Sequence, residues 1–324
     1  MSDRYARQTV LPEVGPDGQA RLGRASVVVV GAGGLGCAVL PYLAAAGVGR
    51  LDIVDHDIVE ESNLHRQPLY RMSELGQPKA LAARVALAGL NPAVEVRAHV
   101  ERLDPRNAAS LVSPADVVID AADSFAVTYV LSDACESAAR PLVSASVLGL
   151  SGYLGAFCGG GPGYRAVFPE LPPSAGSCAD AGVLGTAVGV IGTLQAHFTL
   201  ALLLGWEPSV LGRLIHVDFR SLYVGGFSFS AAPAGSALCL PFIAPAQVSA
   251  SDIVIDLRGL DEAPRSPFPT ALRLGVEALE VAGHRFPPES RIVLCCRSGV
   301  RAWRAARALE AQGHRNLALI ALGA

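Results

Sequence analysis

The chain has 324 residues, of which 51% are apolar and 17% charged, and its net charge is −3. That is enough for two domains with ample cores, and it excludes a disordered chain. With no basic run, it also argues against a nucleic acid or a membrane surface as the main partner.

The N-terminal Met1-Ser2-Asp3-Arg4-Tyr5 lacks the apolar stretch of a signal peptide. The seven cysteines (Cys37, Cys135, Cys158, Cys178, Cys239, Cys295, Cys296) are odd in number and scattered. They suit reduced, cytoplasmic thiols better than a disulfide framework.

In chain order, residues 26–30 read as a buried strand, 31–36 as a tight glycine turn and 37–46 as a helix stopped at Gly47-Val48-Gly49. Residues 51–54 form the next strand and end on Asp55. A strand–turn–helix–strand unit implies a locally parallel sheet. Residues 78–90 read as a helix closed by Asn91-Pro92, and 116–119 as a strand with Asp120-Ala121-Ala122-Asp123 at its carboxyl end. One more strand is expected over 141–146. Residues 181–206 hold no Asp, Glu, Lys or Arg and mimic a membrane span. Their glycines, Gln195 and His197 favour a fully buried helix instead.

Residues 221–251 are free of charge and rich in Ala, Pro, Ser and Gly around 231–237. That places a domain boundary between 246 and 247. Beyond it the pattern restarts as strand (252–257), helix (270–282), strand (291–294), tight loop, helix (300–312) and strand (317–321). The expected architecture is α/β: a Rossmann-like, mostly parallel sheet over 1–246, then a small α/β domain over 247–324.

Gly31-Ala32-Gly33-Gly34-Leu35-Gly36 matches G-x-G-x-x-G between a strand and a helix. Such glycines let backbone amides approach a phosphate at a positive helix end. Asp55, 19 residues past Gly36, stands where an acid accepts bonds from ribose hydroxyls. NAD, FAD and ATP all fit this much. Lys79 is the only lysine beside 25 arginines. A compact point charge among phosphate oxygens is one place where Arg does not substitute. Arg66, Lys79 and Asp123 together suit a reaction on ATP phosphates: cations neutralise a departing pyrophosphate, and an acid holds Mg²⁺.

The segments Arg4-Tyr5-Ala6-Arg7-Gln8, Asp55-His56-Asp57-Ile58-Val59, Ser62-Asn63-Leu64-His65-Arg66-Gln67, Gly76-Gln77-Pro78-Lys79-Ala80 and Asp120-Ala121-Ala122-Asp123-Ser124 occur in order. With Cys178-Ala179-Asp180-Ala181-Gly182-Val183-Leu184-Gly185 and residues 189–196, they resemble the ubiquitin-activating-type adenylyltransferases of the ThiF/MoeB/HesA family over about residues 4–228. The resemblance implies that Gly31, Gly33, Gly34 and Gly36 cradle ATP phosphates and that Asp55 holds the ribose. Asn63, Arg66 and Lys79 would grip phosphates, and Asp123 would bind Mg²⁺. Arg7 would reach into the ATP site of a second subunit, which implies a homodimer. His65 and Ser124 depart from the family's usual Gln and Asn, so no role is carried to Ser124. Asp57 reads either as part of the site or as a turn residue. Cys178, in a Gly- and Ser-rich setting, matches a thiol that some members use in acyl or sulfur transfer. Many members hold zinc with two C-x-x-C pairs. Gly163-Tyr164-Arg165-Ala166 has no cysteine and Cys239 stands alone, so no zinc is expected.

Cys295-Cys296-Arg297-Ser298-Gly299-Val300-Arg301 joins a strand to a helix. Backbone amides and a positive helix end there favour a thiolate or persulfide on Cys296, with Arg297 and Arg301 adding charge. Cys295 reads as a buried hydrophobe. The loop resembles that of rhodanese sulfurtransferases, with Val254-Ile255-Asp256-Leu257-Arg258 as the early strand. Residues 259–269 are a shortened, proline-rich replacement of that family's central segment, which leaves an active or a vestigial domain open.

The resemblances imply adenylation of the C-terminal Gly-Gly carboxylate of a ubiquitin-like sulfur carrier, using ATP and Mg²⁺. Sulfur from a donor such as a cysteine desulfurase would then pass through Cys296 to give a thiocarboxylate. An NAD-dependent oxidoreductase would explain the glycine turn and Asp55 but leave Arg66, Lys79 and Asp123 without work. A non-catalytic carrier-binding scaffold is the third reading, and the intact phosphate set argues against it.

Overall fold

The computed structural model describes residues 3–171, 182–233, 240–281 and 286–323. Strands β1 (Ser26–Val30), β2 (Arg50–Val54), β3 (Glu95–His99), β4 (Val117–Asp120), β5 (Pro141–Leu148), β6 (Ser151–Cys158), β7 (Arg213–Asp218) and β8 (Tyr223–Ser228) form one sheet. Its order is β3-β2-β1-β4-β5-β6-β7-β8, parallel from β3 to β5 and antiparallel from β5 to β8. The Rossmann-like, mostly parallel expectation holds, and the antiparallel extension is an addition to it.

The reason lies in β1. Its run of valines buries both faces, as a central parallel strand must. Val27 and Val29 pack with Leu40 of the Gly34–Ala46 helix and Ile191 of the Gly185–Leu204 helix. Val28 and Val30 face the other way, toward Tyr129 and Leu131 of the Phe125–Ser137 helix.

A second sheet, all parallel, holds β9 (Ile253–Asp256), β10 (Leu272–Arg273), β11 (Ile292–Cys296) and β12 (Leu317–Ala321) in the order β10-β9-β11-β12. Two sequence expectations are corrected here. The helix expected over 270–282 is broken: Leu272 and Arg273 pair with β9 instead, and the described helix starts only at Val276, after Gly275 as its cap. The helix expected to be fully buried is buried on one side only. Gly185–Leu204 is long and apolar enough to cross a membrane, with 56% of its apolar window buried. Its Gln195 amide donates to the carbonyls of Asp120 and Val143, which ties the buried side into the sheet.

The two sheets share one hydrophobic cluster. Ile255, Leu294 and Trp303 of the C-terminal unit lie in the same core as Val28, Val118 and Tyr129. Trp303 stacks obliquely on Tyr129 at 5.4 Å and donates to Glu170 Oε2 at 2.9 Å. Phe242 bridges to Leu319, which carries the chain onto the second sheet. In the cysteine-free stretch 163–166, where the resemblance would place the first zinc-binding pair, Arg165 makes two hydrogen bonds to Asp133 and lies 4.6 Å over the Tyr129 ring. Tyr164 bonds Ser132 and the Tyr153 hydroxyl. An ion pair and two polar clasps therefore join packing in holding this region. Trp303→Ala should cost about 3–5 kcal/mol of unfolding free energy in urea, in a single transition that both units share. Two separate transitions would show independent folding.

Candidate active site

The carboxyl ends of β1, β2 and β4 converge on the glycine turn. Gly31 has φ +100° and lies so close to the 121–122 backbone that a Cβ would sit 2.4 Å from the Ala121 carbonyl oxygen. A Cβ on Gly36 would meet the Gly31 carbonyl oxygen at 2.1 Å, so this pair fixes the turn and the close strand–helix approach. Gly33 caps the Gly34–Ala46 helix, and a Cβ added there would meet the Gln67 side chain in ordinary contact at 3.7 Å. Gly34 packs against Val188, which makes it a helix-packing position.

Asp55 is buried at the end of β2. It accepts the Ala32 amide at 2.7 Å and the Asp57 amide at 2.8 Å, which ties the glycine turn to the next loop. Burial raises its pKa above the ordinary carboxylate value, with those two amides opposing. Lys79 opens the Lys79–Leu90 helix with its side chain only 7% exposed, and its Nζ lies 3.0 Å from Asp57 Oδ2. Tyr70 donates to the Ala32 and Lys79 carbonyls and links the turn to that helix. Arg66 bonds the Asn63 side chain and lies against Gly34, and its His65 neighbour approaches Gly185. Asp123 is exposed beside the turn, and its carboxylate accepts no hydrogen bond from the described residues. Ser124 is the cap position of the following helix, without a side-chain cap bond.

The structure thus brings Gly31, Gly33, Gly34, Gly36, Asp55, Asn63, Arg66, Lys79 and Asp123 to one end of the sheet. It does not bring Arg7 there. Arg7 is exposed on the Ala6–Thr9 helix, whose Gln8 donates to the Ala46 carbonyl at the far end of the Gly34–Ala46 helix. Those 13 residues put Arg7 roughly 20 Å from its own glycine turn. Cys178 and Cys239 lie outside the described residues.

Sequence reasoning missed Tyr70 and Asp120. Asp120 is fully buried and accepts the Thr128 and Ser144 hydroxyls at 2.7 and 2.8 Å. Burial pushes its pKa up to about 6, with those hydroxyls opposing. The folded chain therefore holds this proton more tightly than the unfolded chain. The stabilising contribution is full below about pH 4 and is lost as pH rises through about 6, by ~3 kcal/mol at most. Asp120→Asn should flatten the denaturation profile over that window, and an unchanged slope relative to wild type would contradict the assignment.

At the second sheet, Cys296 ends β11 and is fully buried. Its sulfur receives the Gly299 amide at 3.1 Å and the Ala302 amide at 3.4 Å, at the start of the Val300–Ala311 helix. Arg301 lies beside the sulfur and is pinned by two hydrogen bonds to Glu262 and one to the Leu257 carbonyl. Glu262 was not foreseen. Cys37, Cys158 and Cys295 are buried and pushed up to about 12, so they remain thiols and pack.

The ThiF family model matches residues 5–235. The chain belongs to the ThiF family. It is 52% identical over 218 residues to the adenylyltransferase and sulfurtransferase MOCS3 of Bos taurus, covering 66% of this chain and 48% of that protein. It is 47% identical over 235 residues to a sulfur carrier protein adenylyltransferase of Thermus thermophilus, covering 68% and 87%. The chain thus spans about half the length of the MOCS3 relatives. Among solved structures, E. coli MccB with ATP superposes with a TM-score of 0.63 at 21% identity, over 73% of this chain and 74% of that one. That likeness concerns the fold.

Proposed function

We propose that this chain adenylates the C-terminal carboxylate of a ubiquitin-like sulfur carrier ending in Gly-Gly, and then passes sulfur to it to give a thiocarboxylate. The observation that carries this is the convergence of the glycine turn, a buried Lys79, Arg66 and an exposed Asp123 on one end of a Rossmann-like sheet. The residues fit a nucleoside triphosphate. Gly33 caps the N-terminus of the helix that follows β1, and Asp55 stands at the adjoining strand end. Asp123 would hold Mg²⁺, which would neutralise charge on the departing pyrophosphate.

In this reading the carrier carboxylate attacks the α-phosphorus, pyrophosphate leaves, and Lys79 and Arg66 stabilise the charge that develops on the phosphates. The phosphates would lie at the glycine turn, and the Lys79 ammonium, which pairs with Asp57 in the structure, would turn to them. Mass-spectrometric trapping of a carrier adenylate formed with ATP but not with NAD tests the reaction. Failure to trap it with any Gly-Gly-ended carrier would remove the proposal.

The names of the MOCS3 and Thermus relatives support the carrier as substrate. The Cys296 loop, with two amides and an arginine on one sulfur, supports a rhodanese-like sulfur step fed by a donor such as a cysteine desulfurase. The unpaired state of the described cysteines supports a reducing, cytoplasmic setting. The two separate sheets support a division into two domains near residue 247. The absence of a C-x-x-C pair supports a zinc-free family member.

The distance of Arg7 from its own glycine turn, with exposed Val10, Leu11 and Tyr42 near it in sequence or on the adjoining helix, supports a homodimer in which Arg7 serves the partner's site. Arg7→Ala and Lys79→Arg should each strongly lower ATP–pyrophosphate exchange alone. Mixed subunits should recover it, since one site then has both residues. No recovery on mixing would place Arg7 outside the active site.

A further inference from the structure

Three observations concern how the two units meet. First, the core is continuous between them: Tyr129 of the first contacts Trp303 of the second, and both lie in one cluster with Val30 and Leu294. Glu170 clamps the outside of this contact by accepting from Trp303 Nε1 and from the Arg307 guanidinium.

Second, the carboxyl ends of parallel strands from the two sheets come together. Arg102, three residues past β3, donates to the Leu322 carbonyl just past β12, at 3.0 Å. Phe242 touches Gly299 of the Cys296 loop. With Ala126 and Val127, three and four residues past Asp123, Phe242 also lines a cleft of about 40 Å³ between the units. The sulfur loop and the acid of the nucleotide site are therefore at the same end of the molecule, where ligands of parallel α/β sheets bind.

Third, Arg301 lies beside the Cys296 sulfur and pairs with Glu262, and these two side chains are partly exposed, at 39% and 34%.

We infer that the sulfur carried by Cys296 is delivered to the adenylate formed on the same chain, by a C-terminal unit held in place rather than swinging on its connection. This rests on the function proposed above. The terminal sulfur of the Cys296 persulfide attacks the carrier's acyl carbon. The bond from that carbon to the phosphate oxygen breaks, and AMP leaves with the electron pair. The acyl disulfide that results is opened by a thiol, which forms a mixed disulfide with Cys296 and releases the thiocarboxylate. A second thiol reduces the mixed disulfide and resets the enzyme. Transfer from a fixed, neighbouring loop converts an encounter into an intramolecular step.

The test mixes Lys79→Arg and Cys296→Ser subunits. The first variant retains the sulfur loop and the second retains adenylation, each verified by persulfide loading and by pyrophosphate exchange. Carrier thiocarboxylate is then measured with a persulfide donor and a thiol reductant. Transfer within one chain predicts no thiocarboxylate above that of either variant alone. Recovery on mixing would show transfer between chains and overturn the inference. A wild-type enzyme that exchanges pyrophosphate but makes no thiocarboxylate would remove the sulfur-transfer reading itself, and this inference with it. A second variant, Glu170→Ala, alters only a surface carboxylate. It should lower thiocarboxylate yield several-fold with exchange and persulfide loading unchanged. An undiminished yield would show that the clamp between units does not matter for transfer.

Discussion

Lys79→Arg is expected to lower carrier-dependent ATP–pyrophosphate exchange by about 10²- to 10³-fold, the usual loss when one charge-stabilising group is removed. The argument is geometric. The Lys79 side chain is almost wholly enclosed, and its ammonium reaches Asp57 at 3.0 Å from the first residue of a helix. A single-point donor on a flexible stem can leave Asp57, which is half-exposed, and turn to a phosphate. A guanidinium there has more bulk than the enclosed stem allows, and its planar fork matches the Asp57 carboxylate in a two-bond pair that holds it in place. Global stability should change little, because both side chains are cations. Wild-type exchange in this variant would show that the lysine is a structural partner of Asp57 and nothing more.

Cys296→Ser is expected to leave exchange at the wild-type rate and to abolish thiocarboxylate formation when sulfide is excluded. The hydroxyl preserves an acceptor for the Gly299 and Ala302 amides, so the loop keeps its shape. It cannot carry a sulfane sulfur. Cys295→Ser is the control: Cys295 is fully enclosed, so that change should cost stability and spare transfer. Unchanged thiocarboxylate yield in Cys296→Ser would show that the loop is idle and that sulfur reaches the adenylate by another route.

The parts legible in the sequence were those where local pattern and local structure coincide. The valine run of β1, the glycine turn and Asp55 lie within one strand–turn–helix–strand unit, and the structure places them as read. The Phe125–Ser137 helix gave no clear periodic signal because Thr128 and Ser132 are polar yet buried. They are spent on Asp120 and Tyr164, so the polar positions do not mark a solvent face. The helix after residue 270 was over-read because leucines and a valine suggested continuity, while Gly275 acts as a cap. Strand β8 was unread because it is the sheet's edge, with Tyr223, Val224 and Phe227 exposed beside two glycines. In the site, the roles that depend on distant partners were invisible. The Asp57–Lys79 pair spans 22 residues and the Glu262–Arg301 pair 39. No spacing rule connects residues so far apart in different elements.

The most direct test of the central claim is ATP–pyrophosphate exchange by the purified chain, with and without Gly-Gly-ended carrier proteins from the same genome. The account predicts exchange that requires Mg²⁺ and one such carrier, and that is lost when the carrier's terminal glycine is deleted. Exchange independent of every carrier, or nicotinamide binding with no exchange at all, would contradict it.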